Sequence, residues 1–261
     1  MRVLKIGGNE LDNPDFIKTL ANALKELDEP AVLVHGGGKS IDALQQQLGI
    51  EPVKANGLRV TDDASLPPAL MVLAGMINKN LTAGLVQEGI DAIGLSGVDG
   101  GLLRCSKLEV EGVDLGHVGY VDKVRVEILE DLTSRGLLPV VCPMSLGHDG
   151  QIMNVNADQA AAAIAAALHA DVLDFISNVS GVVANDQLLP TLTRTEAEAL
   201  ISEGLIHSGM LPKIQAAFDA LEVGVSQVRI VDLQGFAQHA GTILTYVSQP
   251  FHTQFRAEVL Q

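Results

Sequence analysis

Six short apolar runs constrain this chain most: Val3–Ile6, Ala31–His35, Asp91–Leu95, Leu138–Cys142, Asp171–Ile176 and Gln227–Val231. Helix-length stretches lie between most of them. Such alternation predicts a parallel-rich sheet between helix layers. Aromatic residues are only 3% of the chain and Trp is absent, so the core is aliphatic. An aliphatic core suits strands covered by helices on both faces. The length, 261 residues, fits one large α/β domain or two closely joined lobes.

Local signals refine the elements. Asn13-Pro14 predicts the start of the first helix, with Asn as cap and Pro at the first helical position. Asn156 with Gln159 resembles a capping box, opening the apolar helix through Ala160–Leu168. Pro212 suits the first turn of a helix over Ile214–Leu221. Leu102–Val124 breaks the alternation and reads as a β-hairpin or small flap on the main sheet.

The formal net charge of -15 argues against nucleic acid and anionic membranes as partners. It repels anionic metabolites too, so an anion site must be a local pocket of Lys, Arg and backbone N–H groups. Cys105 and Cys142 lie in apolar runs without C-x-x-C spacing, as reduced, buried thiols of a cytoplasmic protein do. The seven histidines show no metal-ligand spacing. The chain enters a strand at once, leaving no room for a signal peptide, and no apolar stretch reads as long and clean enough to span a membrane.

Three glycine-rich loops follow strands: Lys5-Ile6-Gly7-Gly8, His35-Gly36-Gly37-Gly38-Lys39-Ser40 and Gly94-Leu95-Ser96-Gly97-Val98-Asp99-Gly100-Gly101. Glycines at the carboxyl ends of parallel strands let the backbone approach an anion. They also serve plain tight turns. Familiar phosphate motifs fail: a P-loop needs Gly where Leu33 stands, and a dinucleotide fingerprint needs Gly where Ile41 stands. A nucleophile elbow at Ser96 needs Gly at Val98.

Three further stretches carry charge or polarity. Arg59, after a Gly turn, could fork onto a carboxylate or simply be solvated. Asp158 suits the first helical turn by the macrodipole alone, or could orient nearby lysines. Lys213 sits at a helix N-terminus, where a cation is disfavoured unless an anion binds there.

Taken in order, Lys5–Gly8, Val34–Gly38, Asn56–Thr61, Asn78-Lys79, Gly116–Gly119, Met153–Ala161 and Gly209–Lys213 resemble the amino acid kinase family, its acetylglutamate branch in particular. The resemblance implies a three-layer α/β/α sandwich with a mainly parallel central sheet, as a single domain over 1–261. An N-terminal lobe (about 1–170) would bind N-acetyl-L-glutamate, and a C-terminal lobe (about 171–261) would bind ATP. The implied reaction moves the γ-phosphoryl group of ATP onto the acceptor's side-chain carboxylate, with Mg2+ carried mainly by the nucleotide and no protein metal site.

By position, Lys5 and Lys213 would flank the transferring group, and Asp158 would fix both lysines. Gly37, Gly38, Arg59 and Asn154 would bind the acceptor. Gly7, Gly8, Ser177, Asn178, Val179, Gly181, Gly209 and Met210 would bind phosphate or nucleotide. Lys39 departs from the family pattern and reads as a surface charge. The direct start at the first strand implies an arginine-insensitive homodimer. A sister kinase acting on a carrier-protein-linked aminoadipate, and a non-catalytic ligand-sensing module, remain the alternatives.

Overall fold

The computed structural model describes residues 1–8, 15–55, 57–206 and 210–245. The expected cap Asn13-Pro14 therefore lies outside the described residues, as does Gly209. The N-terminal part runs β1 (Arg2–Ile6), α1 (Phe16–Lys25), β2 (Ala31–His35), α2 (Gly38–Gln47) and the short hairpin β3 (Lys54–Ala55) and β4 (Leu58–Arg59). Next come α3 (Leu66–Leu70), a π-helical stretch Met71–Ile77 and α4 (Asn78–Gln87), which run on as one helix. The middle contains β5 (Ala92–Ser96), β6 (Leu103–Lys107), β7 (Val118–Val124), α5 (Val126–Ser134), β8 (Leu138–Cys142), β9 (Met144–Gly147) and β10 (Ile152–Val155). The chain continues through α6 (Ala157–Ala167), β11 (Val172–Ser177), β12 (Val183–Ala184), β13 (Gln187–Leu188), β14 (Thr191–Thr193) and α7 (Arg194–Ser202). It then forms α8 (Leu211–Glu222), β15 (Val228–Asp232), α9 (Leu233–Ala237) and β16 (Thr242–Thr245).

Eight strands form the main sheet in the order β14-β16-β15-β11-β1-β2-β8-β5, parallel throughout except where β15 meets β16. The expected sandwich follows. One face packs on α1, α4 and α9 through Leu4, Ile6, Leu33, Val140 and Val231. The other packs on α5, α6 and α8 through Val3, Val32, Val34 and Leu173. β2 and β8 lie inside the sheet and are buried at every residue, which is why they read as unbroken apolar runs.

Three local expectations change. The Leu102–Val124 region does contain a hairpin, β6 with β7, but it is not a flap on the main sheet. β9 and β10 close it into a separate four-stranded barrel. Asn156 caps α6, accepting from the N–H groups of Asp158 and Gln159, yet the reciprocal half of the capping box is absent. The Gln159 amide instead pairs with both backbone groups of Val121 on β7, tying α6 to the barrel. Finally, Leu66–Gln87 forms a 22-residue helix whose mean hydropathy reaches 1.4, enough by length and composition to match a membrane span. Its inner side is packed, with Val72, Leu73, Ile77, Leu81 and Leu85 buried.

At the amino edge of the sheet a charged cluster is buried. Asp174 is 0% exposed and accepts from Arg229 Nε at 2.5 Å and from Arg2 Nη1 at 2.8 Å. Arg229 stacks over Phe236, and Arg2 also holds Glu29. Removing one member of such a cluster strands the others' charge in the core. Asp174→Ala is therefore expected to lower unfolding stability by about 3–5 kcal/mol in urea titrations. A loss below about 1 kcal/mol would show that Arg229 finds water or another partner.

Candidate active site

Parallel strands deliver the loops that follow them to one edge, so Gly7-Gly8 after β1 and Gly36-Gly37-Gly38 after β2 lie side by side. Their approach is close: a Cβ on Gly8 would sit 2.8 Å from Gly37 Cα. A Cβ on Gly37 would collide with Ile77 and come within 2.8 Å of Leu73. These glycines are required by backbone packing as well as by anything they bind.

The two-residue period of β1 decides where Lys5 points. Leu4 and Ile6 face α1 and α4, so Lys5 shares the Val3 side and meets α6. Its Nζ lies 2.7 Å from Asp158 Oδ1 in the first turn of α6, with 17% of the lysine side chain exposed.

On one side of this pair is a cavity of about 290 Å3. Lys5, Gly7, Gly8, Gly37, Gly38, Lys54, Arg59, Asn154 and Asp158 are among its walls. The β3–β4 hairpin brings Arg59 over α2. Arg59 donates to Gln45 Oε1 at 2.7 Å and to the Gly38 carbonyl at 2.8 Å. It also ion-pairs with Asp42 at 2.5 Å, off hydrogen-bond geometry, since Asp42 Oδ1 has no hydrogen-bond partner. Asp42 reaches Lys54 at 3.4 Å as well. Asn154 is buried and donates to Thr61 Oγ1 at 3.0 Å.

On the other side is a second cavity of about 240 Å3, lined by Lys5, Gly7, Asp158, Phe175, Ile176, Ser177, Asn178, Pro212, Lys213 and Ala216. Lys213 stands in the first turn of α8, next to Pro212. Ser177 ends β11 with a buried hydroxyl that makes no hydrogen bond. A lysine at a helix N-terminus beside an unpaired hydroxyl suits an anionic ligand. Among the described residues no group of three or more His, Cys, Asp or Glu is arranged to hold a metal.

The sequence-predicted residues are thus divided. Lys5, Lys213, Asp158, Gly7, Gly8, Gly37, Gly38, Arg59, Asn154, Ser177 and Asn178 line the two adjoining cavities. Asp158 pairs with Lys5, and among the described residues Lys213 forms no ion pair. Val179 and Met210 pack against the main core and line neither cavity. Gly181 also lies apart: a Cβ there would meet Leu188 and Thr242 at 2.7 Å, so packing against β16 accounts for it. Lys39 is exposed.

Sequence reasoning missed Asp42, Gln45, Lys54 and Thr61. The available signal was weak: Asp42 and Gln45 are three apart and share a face of α2, but nothing local ties that face to Arg59.

His35 was also missed as a site-adjacent group. It is 0% exposed under α4, and burial pushes its pKa down to about 4. Both thiols are buried, and desolvation raises Cys105 to about 11 and Cys142 to about 12.

Backbone loops and lysines at the carboxyl edge of a parallel sheet define an open α/β protein with two cavities that meet at Lys5 and Asp158. The chain belongs to the amino acid kinase family, whose model matches residues 1–232. It is 49% identical over 242 residues to the acetylglutamate kinase of Roseiflexus castenholzii, covering 93% of each chain. It is 42% identical to that of Methanopyrus kandleri, covering 94% of this chain and all of the relative. Among solved structures, N-acetylglutamate synthase from Neisseria gonorrhoeae, in complex with coenzyme A and N-acetyl-glutamate, superposes with a TM-score of 0.81 at 27% identity. That match covers 95% of this chain and 60% of the synthase.

The depressed His35 pKa has a defined consequence. Unfolded His titrates near 6.5, so between about pH 6.5 and 4 the unfolded chain binds the extra proton and folding stability falls with pH. From pH 7 to pH 5 the histidine alone is expected to cost about 2 kcal/mol in urea unfolding. His35→Asn should remove that increment. An unchanged pH dependence in the variant would mean that His35 is charged in the folded protein.

Proposed function

We propose that this chain is an acetylglutamate kinase, transferring the γ-phosphoryl group of ATP to the side-chain carboxylate of N-acetyl-L-glutamate. The observation that carries this reading is the pair of cavities meeting at Lys5 and Asp158. The named relatives support the choice of acceptor. The larger part of the chain, about 1–170, supplies the acceptor side, and about 171–261 supplies the nucleotide side.

A carboxylate oxygen is nucleophilic without a base. It attacks the γ-phosphorus, the bond to the β–γ bridging oxygen breaks, and ADP leaves with that electron pair. The product is an acyl phosphate, and no proton moves. Catalysis then consists of alignment and charge neutralisation. Lys5 and Lys213 flank the transferring group, and glycine N–H groups of both loops point at its oxygens. Asp158 holds Lys5 in line. Arg59 and Asn154 bind the acceptor's α-carboxylate end. Ser177 and Asn178 suit the nucleotide side. Mg2+ enters on the nucleotide phosphates.

The partners are these two small molecules and a second copy of this chain. Met71 and Met76, 61% and 50% exposed, lie on the outer side of the Leu66–Gln87 helix and support a homodimer through that face. Free, buried Cys105 and Cys142 fit the reducing cytoplasm.

In a coupled ADP-release assay with MgATP, N-acetyl-L-glutamate should turn over, while glutamate, aspartate and N-acetyl-aminoadipate should not, and hydroxylamine should trap the product. Lys5→Ala and Lys213→Ala should each lower kcat by about two orders of magnitude or more. Arg59→Ala should mainly raise KM for the acceptor. Weakened ATP binding with an unchanged acceptor KM would mean that the two cavities are assigned the wrong way round.

Sedimentation should give a dimer, converted to monomer by Met71→Lys with Met76→Lys. A monomeric wild type would remove the proposed face.

A further inference from the structure

On the face of the sheet opposite Lys5, a buried polar chain links the Leu66–Gln87 helix to the Gly36–Gly38 loop. Asn78 is 0% exposed. Its Nδ2 lies 2.9 Å from the Val140 carbonyl, 3.1 Å from His35 Nε2 and 3.2 Å from the Leu95 carbonyl. One amide thus bridges β8, β2 and β5. Asn78 Oδ1 accepts from Lys79 Nζ at 3.0 Å, and the same ammonium donates to the Gly94 carbonyl at 2.9 Å. A Cβ on Gly94 would collide with Asn78 and reach Thr82 at 2.6 Å, so glycine there lets the helix press on β5.

The far end of this chain is His35. Its Nδ1 is 3.0 Å from the Gly36 carbonyl oxygen. That oxygen can only accept, so Nδ1 carries the proton; the bare Nε2 can then only accept, sharing the two Asn78 N–H groups with the Val140 and Leu95 carbonyls. The helix therefore sets the tautomer of a buried imidazole, and the imidazole holds a carbonyl of the glycine loop. The peptide unit is planar, and every described peptide bond is trans. Fixing the direction of the Gly36 C=O accordingly fixes the Gly37 N–H, which points the opposite way. Gly36, Gly37 and Gly38 all line the cavity beside Lys5.

We infer that Asn78 and His35 are positioning residues that aim the Gly37 N–H at the transferring phosphoryl group. The inference rests on the kinase reading above. The two residues line neither cavity and reach the site through the Gly36–Gly37 peptide. The motif Asn78-Lys79 thereby acquires a role outside the cavities. The π-helical stretch Met71–Ile77 belongs to the same device, because it brings Leu73 and Ile77 onto Gly37 immediately before Asn78.

Two substitutions at His35 separate positioning from mere filling. His35→Asn leaves an amide nitrogen near the place of Nδ1, able to donate to the Gly36 carbonyl, whereas His35→Gln reaches toward the place of Nε2. If aiming the loop matters, kcat of His35→Asn should exceed that of His35→Gln by about ten-fold, with both KM values within about two-fold of wild type.

Asn78→Asp replaces the donor with an acceptor. The charge that acts on His35 is Lys79 on the helix; Lys79 and Asp99, after β5, also act on the Cys142 thiol at the end of β8. The new carboxylate favours an imidazolium that donates from Nε2 and still donates from Nδ1. The variant's kcat should therefore recover as pH falls from 8 to 6, relative to wild type. Equal kcat for the two folded His35 variants, or a flat ratio for Asn78→Asp, would overturn the inference.

A second readout does not need turnover. In 15N-histidine-labelled protein, His35 should show a protonated Nδ1 and a bare Nε2 from pH 5.5 to 8. A protonated Nε2, or titration near pH 6.5, would overturn the inference even in a fully active enzyme. A wild type silent on every acceptor would instead sink the kinase reading, with the NMR result still deciding whether Asn78 and His35 hold the loop.

Discussion

The contact between two backbone loops, Gly8 against Gly37, is the constraint on which the rest of the structure depends. It exists because β1 and β2 are parallel neighbours and release their chains at the same edge of the sheet. A side chain at Gly8 would push the loops apart, and one at Gly37 would press on Ile77 and Leu73 of the Leu66–Gln87 helix. With the loops held together, two cavities meet beside them, one walled by backbone from both loops and the other by side chains from α6 and α8. Lys5, Asp158 and Lys213 line the second of them together, although Lys5 and Asp158 are 153 positions apart and Asp158 and Lys213 are 55 apart.

An acidic chain has to gather its cations deliberately. Lys5 and Arg59 are partly or largely buried, and each is held by a carboxylate, Asp158 and Asp42 respectively. Such pairing keeps a cation at the site in the absence of an anion and limits the cost of its desolvation. The arrangement also leaves the Arg59 fork in contact with Gln45, Asp42 and the Gly38 carbonyl, so the guanidinium at the cavity wall is held in place. Lys213 differs, because among the described residues it makes no ion pair. Its position at the α8 N-terminus concentrates positive potential on the side of the site that has the unpaired Ser177 hydroxyl.

The two faces of the sheet divide the labour. The face under α6 and α8 presents ionic groups to the cavities. Near the cavities, the face under the Leu66–Gln87 helix carries His35 and Asn78, which join strands through hydrogen bonds and meet the Lys79 ammonium at the helix surface. The neutrality of His35 follows from burial, since an imidazolium there would lack water and would face the Lys79 ammonium.

By itself the sequence determined the elements and the ends of the strands. Period and composition within a few residues mark β1, β2, β8 and β11, and glycines and lysines at their carboxyl ends mark the site. Even the direction of Lys5 is implicit in the alternation of Val3, Leu4 and Ile6. Only the tertiary structure decided what each polar group meets. Gln159 looks like half of a capping box, yet it spans to Val121, because α6 lies against barrel strand β7, 38 residues earlier in the chain. Gly181 looks like a nucleotide-loop glycine, yet β16 packs onto it. Asp42 reaches Arg59 and Asn78 reaches His35 only after the hairpin and the helix have docked. Local propensity is written in neighbouring residues, whereas hydrogen-bond partners depend on strand register and helix docking, which are settled when the whole core closes.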